Sequence, residues 1–163
     1  MEKKQVIAKS SIQPLPNVLV SCRGKDGKDN ALAVGYCTNC SYDPPMVMVG
    51  IVPSRHSYQM IKDTKCFVVN LATKDFKKEF NYLGSVSGKD EDKLAKMNIK
   101  TANGSKVNAP ILVDCPVNIE CTVVDSIMTG SHEMFVGKIE NIQIDESVNI
   151  KNGKLDLSNF ELL

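Results

Sequence analysis

Residues 117–144 read VNIECTVVDSIMTGSHEMFVGKIENIQI. Val117, Ile119, Cys121 and Val123 alternate with Asn118, Glu120 and Thr122, the two-residue period of a strand with one buried face. Thr129–Gly130 supplies a turn, and Glu133 to Ile144 returns as a second long strand. The apolar parity of the return strand shifts between Ile139 and Ile142, which predicts a bulge.

Upstream, the same strand grammar repeats. Val18 to Val20 opens a strand, and Gly24-Lys-Asp-Gly27 turns the chain before another at Asn30 to Tyr36. Met46 to Val52 is apolar at nearly every position, as suits a strand covered on both faces. Cys66 to Leu71 is a further β-rich run. Helices are fewer. Ser54, after Pro53, reads as the N-cap of a helix over Arg55 to Asp63. Phe76, Phe80 and Leu83 fall at i, i+4 and i+7, a stripe for core or dimer packing, with Gly84 in the place of a C-terminal stop. Asp92 to Met97 adds a short third helix. Many short strands with a few small helices predict a mainly β protein, an antiparallel barrel or sandwich. With no repeat and no linker, residues 1–163 read as one domain, with a core over about 15–146. The tail 147–163 either adds a strand or wraps a partner.

Composition narrows the function classes. The 163 residues are 42% hydrophobic and 24% charged, with a formal net charge of +1 and both signs spread along the chain. No basic stripe suggests nucleic acid, and 6% aromatics leave little for base stacking. No segment approaches the ~20 apolar residues of a membrane helix. The first residues lack the apolar run of a signal peptide, so the six cysteines are expected as reduced thiols in the cytoplasm.

Cys37-Thr-Asn-Cys40 is a metal knuckle, a redox dithiol, or a packed wall. Structural zinc usually needs two close pairs of ligands, and here there is one, with Cys22, Cys66, Cys115 and Cys121 isolated and only His56 and His132 besides. A thioredoxin-type dithiol needs a helix start after its first cysteine, whereas Pro44–Pro45 follows. No metal site is therefore expected. Pro53-Ser-Arg-His-Ser57 is different. A helix start prefers acidic residues, so Arg55 and His56 run against the helix dipole unless an anion binds there; otherwise Arg55 is a solvated surface residue. No GxGxxG follows a strand, so a Rossmann nucleotide site is excluded.

Asn30-Ala-Leu-Ala-Val-Gly-Tyr-Cys-Thr-Asn-Cys-Ser-Tyr-Asp-Pro-Pro45 resembles the flavin reductase-like, FMN-binding split-barrel family, which includes flavoredoxins and small NAD(P)H:flavin oxidoreductases. The apolar strand that follows, Ser54 to Ser57, Ser87-Gly-Lys-Asp-Glu-Asp-Lys93 and Gly130 to Gly137 agree in the same order. The resemblance covers about Leu19 to Asp145. It implies a Greek-key split barrel that forms a homodimer, with FMN in a groove at the interface. Ala33, Val34, Gly35, Tyr36 and Cys37 would line the ring and ribityl chain, and Cys40 and Ser41 would close the ring pocket, so that Cys37 to Cys40 forms a turn in its wall. Arg55 and Ser57 would hold the phosphate, with Lys93 a further candidate; the rest of Lys89 to Lys96 is a solvated face.

His132 matches a histidine near the flavin and the incoming nicotinamide. Taken alone, a single histidine in a strand reads more often as a satisfied core or interface residue than as a proton donor. The resemblance raises the functional reading to an equal footing, since a near-neutral pKa suits proton handling at a reduced flavin. Ser131 stands where the family often has Asp, so His132 is expected to lack a charged orienting partner. The implied activity passes electrons from NAD(P)H through FMN to a flavin, ferric or protein acceptor. The alternative is an electron carrier that takes electrons from a protein donor. A third possibility is a split-barrel binding module without FMN.

Overall fold

The computed structural model describes residues 1–163 and confirms the mainly β class, with a seven-stranded antiparallel sheet as its frame. Its strands are β1 (Val18–Arg23), β2 (Asp29–Val34), β3 (Cys37–Tyr42), β4 (Pro45–Ile51), β5 (Cys66–Leu71), β8 (Val117–Met128) and β9 (Glu133–Ile144). In space they run β2-β1-β5-β8-β9-β4-β3. Short strands β6 (Thr101–Asn103) and β7 (Pro110–Leu112) pair separately, as do β10 (Asn149–Lys151) and β11 (Lys154–Asp156).

The long hairpin forms as its alternation predicts, and the bulge falls where the parity shifts. Glu120 pairs with Asn141 and Cys121 with Ile139, which leaves Glu140 as the extra residue on β9. Val124 is likewise extra on β8, between the pairs Val123–Gly137 and Asp125–Val136. Bulges increase local twist and bend the ladder. The sheet therefore curls until strands from its opposite halves share one core. Val34 of β2 and Val47, Val49 and Ile51 of β4 belong to the same cluster as Val20, Phe67 and Phe135. The edge strands β2 and β3 do not pair, so this is a split barrel rather than a closed one.

Helix α1 (His56–Thr64) packs Met60 and Ile61 into this interior. A second core lies on the outer face of β1 and β2. There Leu19 and Ala31 meet Leu83 of α2 (Lys77–Ser85) and Leu94 of α3 (Lys93–Lys96). Burial on both faces explains why β1 is buried at five successive positions instead of alternating.

Three local expectations need correction. The helix expected from Arg55 with a Ser54 cap starts at His56, with Arg55 in the extended cap position and no side-chain cap bond. Gly84 does not stop α2, which continues through Ser85. Its role is close approach: a Cβ there would lie 2.9 Å from the Ala33 Cβ, so only glycine lets α2 lie against β2. Finally, Cys37 to Cys40 is not a turn. It is most of β3, held along β4 at the sheet edge. The short third helix does form, capped by Asp92, whose carboxylate accepts from the Ala95 amide at 3.0 Å.

The tail adds the β10–β11 hairpin, turned by Asn152 and Gly153 at positive φ. Its end docks where the Leu163 amide donates to the Ala72 carbonyl at 3.0 Å. No helix is long and apolar enough to cross a membrane.

Candidate functional site

The ends of β2 and β4, the start of α1 and the loop after α2 converge on one groove. It consists of two joined cavities of opposite character. The first, about 280 Å³, is lined mainly by apolar groups, among them Leu15, Val34, Ile51 and Val52, with Tyr36 and His132 at its wall. The second, about 240 Å³, is lined largely by polar groups, among them Asn30, Ser54, Ser57 and Lys93. Leu32, Ala33 and Arg55 belong to both, so the cavities are continuous.

At the polar end the charges are unbalanced. Arg55 is exposed on the α1 cap and takes part in no ion pair. The first turn of α1 carries no acidic residue to complement its free amides. Lys93 is only 3% exposed, and its ammonium donates to the Leu83 carbonyl at 2.8 Å. Burial lowers its pKa to about 8, and the charge of Arg55 pushes the same way. The Ser57 hydroxyl is buried and accepts from the Asn30 amide at 2.8 Å. Behind it lies Cys22, whose thiol burial pushes up to about 12. Two cations, a hydroxyl and helix amides thus face one space without an acid to answer them. An anionic group would complete it.

At the apolar end His132 sits in the loop before β9, not in a strand, with its ring 4.8 Å from that of Tyr36 at 53°. Its Nδ1 is 2.8 Å from the Ser131 hydroxyl, so a neutral partner orients it where the resemblance led us to expect none that is charged. That leaves Nε2 as the ring nitrogen open to a ligand.

Of the residues singled out from the sequence, Ala33, Val34, Gly35, Tyr36, Arg55, Ser57, Lys93 and His132 come together here. Cys37, Cys40 and Ser41 stand outside both cavities. Cys37 packs against the barrel core, and burial raises its thiol to about 11; Cys40 is exposed. Along an extended strand their Cα atoms are separated by about 9–10 Å, beyond the ~7 Å that a disulfide spans. No group of three or more His, Cys, Asp or Glu side chains is placed to hold a metal. On this backbone the two thiols are too far apart to join as a disulfide.

Sequence reasoning missed Leu15, Asn30, Gly84 and Gly88. Leu15 comes from the N-terminal segment and packs on Gly35, a contact that no local pattern announces. Gly88 sits on the loop after α2, where a Cβ would fall 2.5 Å from Asn30 Oδ1 and 2.8 Å from His56 Cδ2. An unexplained glycine in the Ser87-to-Lys93 stretch was its only visible signal.

Known proteins resemble this chain over most of its length. The flavin reductase-like domain model matches residues 11–156. The solved structure of a flavoredoxin from Methanosarcina acetivorans superposes with a TM-score of 0.90 at 30% identity, covering 99% of this chain and 85% of that one. An uncharacterized protein of Archaeoglobus fulgidus is 31% identical over 131 residues, 80% of this chain and 73% of its own length. A Bradyrhizobium diazoefficiens protein named FMN reductase (NADH) RutF is 23% identical over 125 residues, 77% of this chain and 67% of its own.

Proposed function

The chain belongs to the family of flavin reductase-like domains, and from that premise we propose that it is an FMN-dependent oxidoreductase that takes electrons from NAD(P)H and delivers them to a flavin, ferric or protein acceptor. The observation that carries this reading is the joined groove, apolar at one end and bearing two unanswered cations at the other. FMN has the matching form, a flat ring system and a terminal phosphate, and the donor set fits it.

Arg55 would form the charge-assisted bonds to the phosphate, with Lys93, the Ser57 hydroxyl and the first amides of α1 completing the shell. Ala33 to Gly35 would border the ribityl chain and the ring edge. Leu15, Val34 and Ile51 would exclude water from one side of the ring. When bound, FMN supplies both hydride acceptance and one-electron transfer. His132 would hold or release a proton at Nε2 beside the ring, with Ser131 fixing the imidazole through Nδ1. Hydride transfer needs no nucleophile, and no Ser–His–Asp or Cys–His constellation lines the groove. We further propose a homodimer. Exposed Val124, Ile127 and Met128 at the end of β8, with Ile7 and Ile12 of the N-terminal segment, supply apolar surface for it.

The flavoredoxin similarity over 99% of the chain favours a second reading, an FMN carrier supplied by a protein donor. Anaerobic reduction of the FMN-loaded protein separates the two. Bleaching of the flavin band by NADH or NADPH supports the reductase. A band that resists both and bleaches with a ferredoxin-type donor supports the carrier. A protein that takes up no FMN rejects both.

A further inference from the structure

We propose that the groove continues into a second phosphate subsite, built by Lys28, His56 and Lys89, which takes the phosphate that FAD carries beyond that of FMN, or the 2′-phosphate that NADPH carries beyond NADH. It rests on the FMN reading above, because it extends outward from the phosphate end assigned there.

A cavity of about 720 Å³ opens from the polar end and shares Asn30, His56, Gly88 and Lys93 with it. Another, about 520 Å³, joins at Arg55 and His56 and shares Lys28 and Lys89 with the larger one. His56 lines all three. On the FMN reading the single phosphate of FMN takes the polar end, and this space opens outward from it.

The walls carry both signs, but most of the acids are already engaged. Asp29 forms a two-point pair with Arg23 at 2.7 and 3.0 Å. Glu91 accepts from the Tyr82 hydroxyl, and Asp92 caps α3. Asp63 receives Gln59 at 2.7 Å and Lys25 at 3.8 Å. Lys28 and Lys89 form no ion pair. Lys93 uses one of its three donors. Against these cations stand Asp26, which accepts from the Lys28 backbone amide at 3.1 Å, and Asp90.

The cations converge on one ring. Burial lowers the His56 pKa, and Lys89, Lys93 and Lys28 push it the same way against Asp26. A Cβ at Gly88 would fall 2.8 Å from His56 Cδ2, so the loop that carries Lys89 passes close to that ring, and Lys89 and His56 line the same two cavities. A polyanion entering here reverses the field on His56 and raises its pKa. Two ligands present such a phosphate: FAD, through its diphosphate, and NADPH, through its 2′-phosphate.

The test compares the native protein with a Lys28→Ala/Lys89→Ala double variant, both positions being exposed and free of packing roles. With only His56 and His132 in the chain, imidazole NMR reads each directly. Inorganic pyrophosphate should raise the His56 pKa, leave His132 in place, and lose this effect in the double variant. The variant should bind FAD or NADPH at least ~10-fold more weakly, with FMN and NADH within about twofold. A loss for FAD assigns the subsite to the diphosphate, and a loss for NADPH assigns it to the 2′-phosphate. An unresponsive His56, or FAD and NADPH binding unchanged in the variant, overturns the subsite. If FMN does not bind while the pyrophosphate response persists, the FMN reading falls and the subsite stands.

Discussion

Glu120 and Lys93, two of the three charged residues buried in this protein, sit under opposite conditions. Glu120 on β8 is fully buried and is met on every side. The amides of Lys106 and Val107 donate to it at 2.7 and 3.2 Å, Asn141 and Gln143 both at 2.9 Å, and the Ser105 hydroxyl at 3.1 Å. Burial by itself would raise its carboxyl, yet these donors hold it down at about 2. Lys93 is as deeply buried, but it has one carbonyl for a partner and its pKa falls to about 8. Glu120 has been satisfied by the fold and ties the 104–107 loop to the sheet. Lys93 has not, and the unanswered charge faces the groove. A buried ion whose partners are complete marks architecture, whereas one whose partners are missing marks where a ligand belongs.

Breaking the satisfied site should produce the largest effect. Glu120→Gln turns an acceptor into a donor among five donors and should cost about 2–4 kcal/mol, measured by urea unfolding, with FMN affinity unchanged at temperatures where it stays folded. The native protein should also be acid-sensitive through this residue. Its folded pKa lies below the ordinary 4.5, so its contribution is complete above that value and is lost as the pH falls from 4.5 towards about 2. A stability profile flat across that window would remove Glu120 from the account.

At the unsatisfied site the losses should appear in binding. Arg55→Ala should weaken FMN by ~1.5–3 kcal/mol with little change in melting temperature, read by fluorescence titration. Lys93→Met sharpens the contrast further. It should weaken FMN about 10-fold while leaving the apo-protein as stable or more so, because it removes a buried charge that nothing pairs. Native FMN affinity should also decline as the pH rises through about 8, where Lys93 loses its proton. The apo-protein should move the other way. Its folded pKa is below the unfolded 10.5, so the unfolded chain binds more protons between the two and stability rises with pH across that window. Parallel pH trends for binding and apo-stability would contradict the assignment. The smallest effect belongs to Cys40→Ser, exposed on β3 and outside the groove, which should leave FMN affinity unchanged.

The sequence by itself determined the elements whose signal is periodic or local. Alternation from Val117 to Val123 marked β8, and a parity shift marked the bulge at Glu140. The basic residues of the Ser54–Ser57 stretch marked a helix start that lacks an acid. Each of these follows from the spacing of side chains along a few residues, which the chain carries in itself. The tertiary structure decided everything that depends on which segments meet. Cys37 to Cys40 became an edge strand because β4 offered it a ladder, although its composition suggested a loop. Gly84 continued a helix because α2 had to approach Ala33. Leu15 entered the groove from a segment with no pattern of its own. The resemblance made Lys93 a phosphate candidate within a run that otherwise reads as a solvated face, but only the packing of α3 against β2 and α2 took it out of water and left its ammonium without a counter-ion.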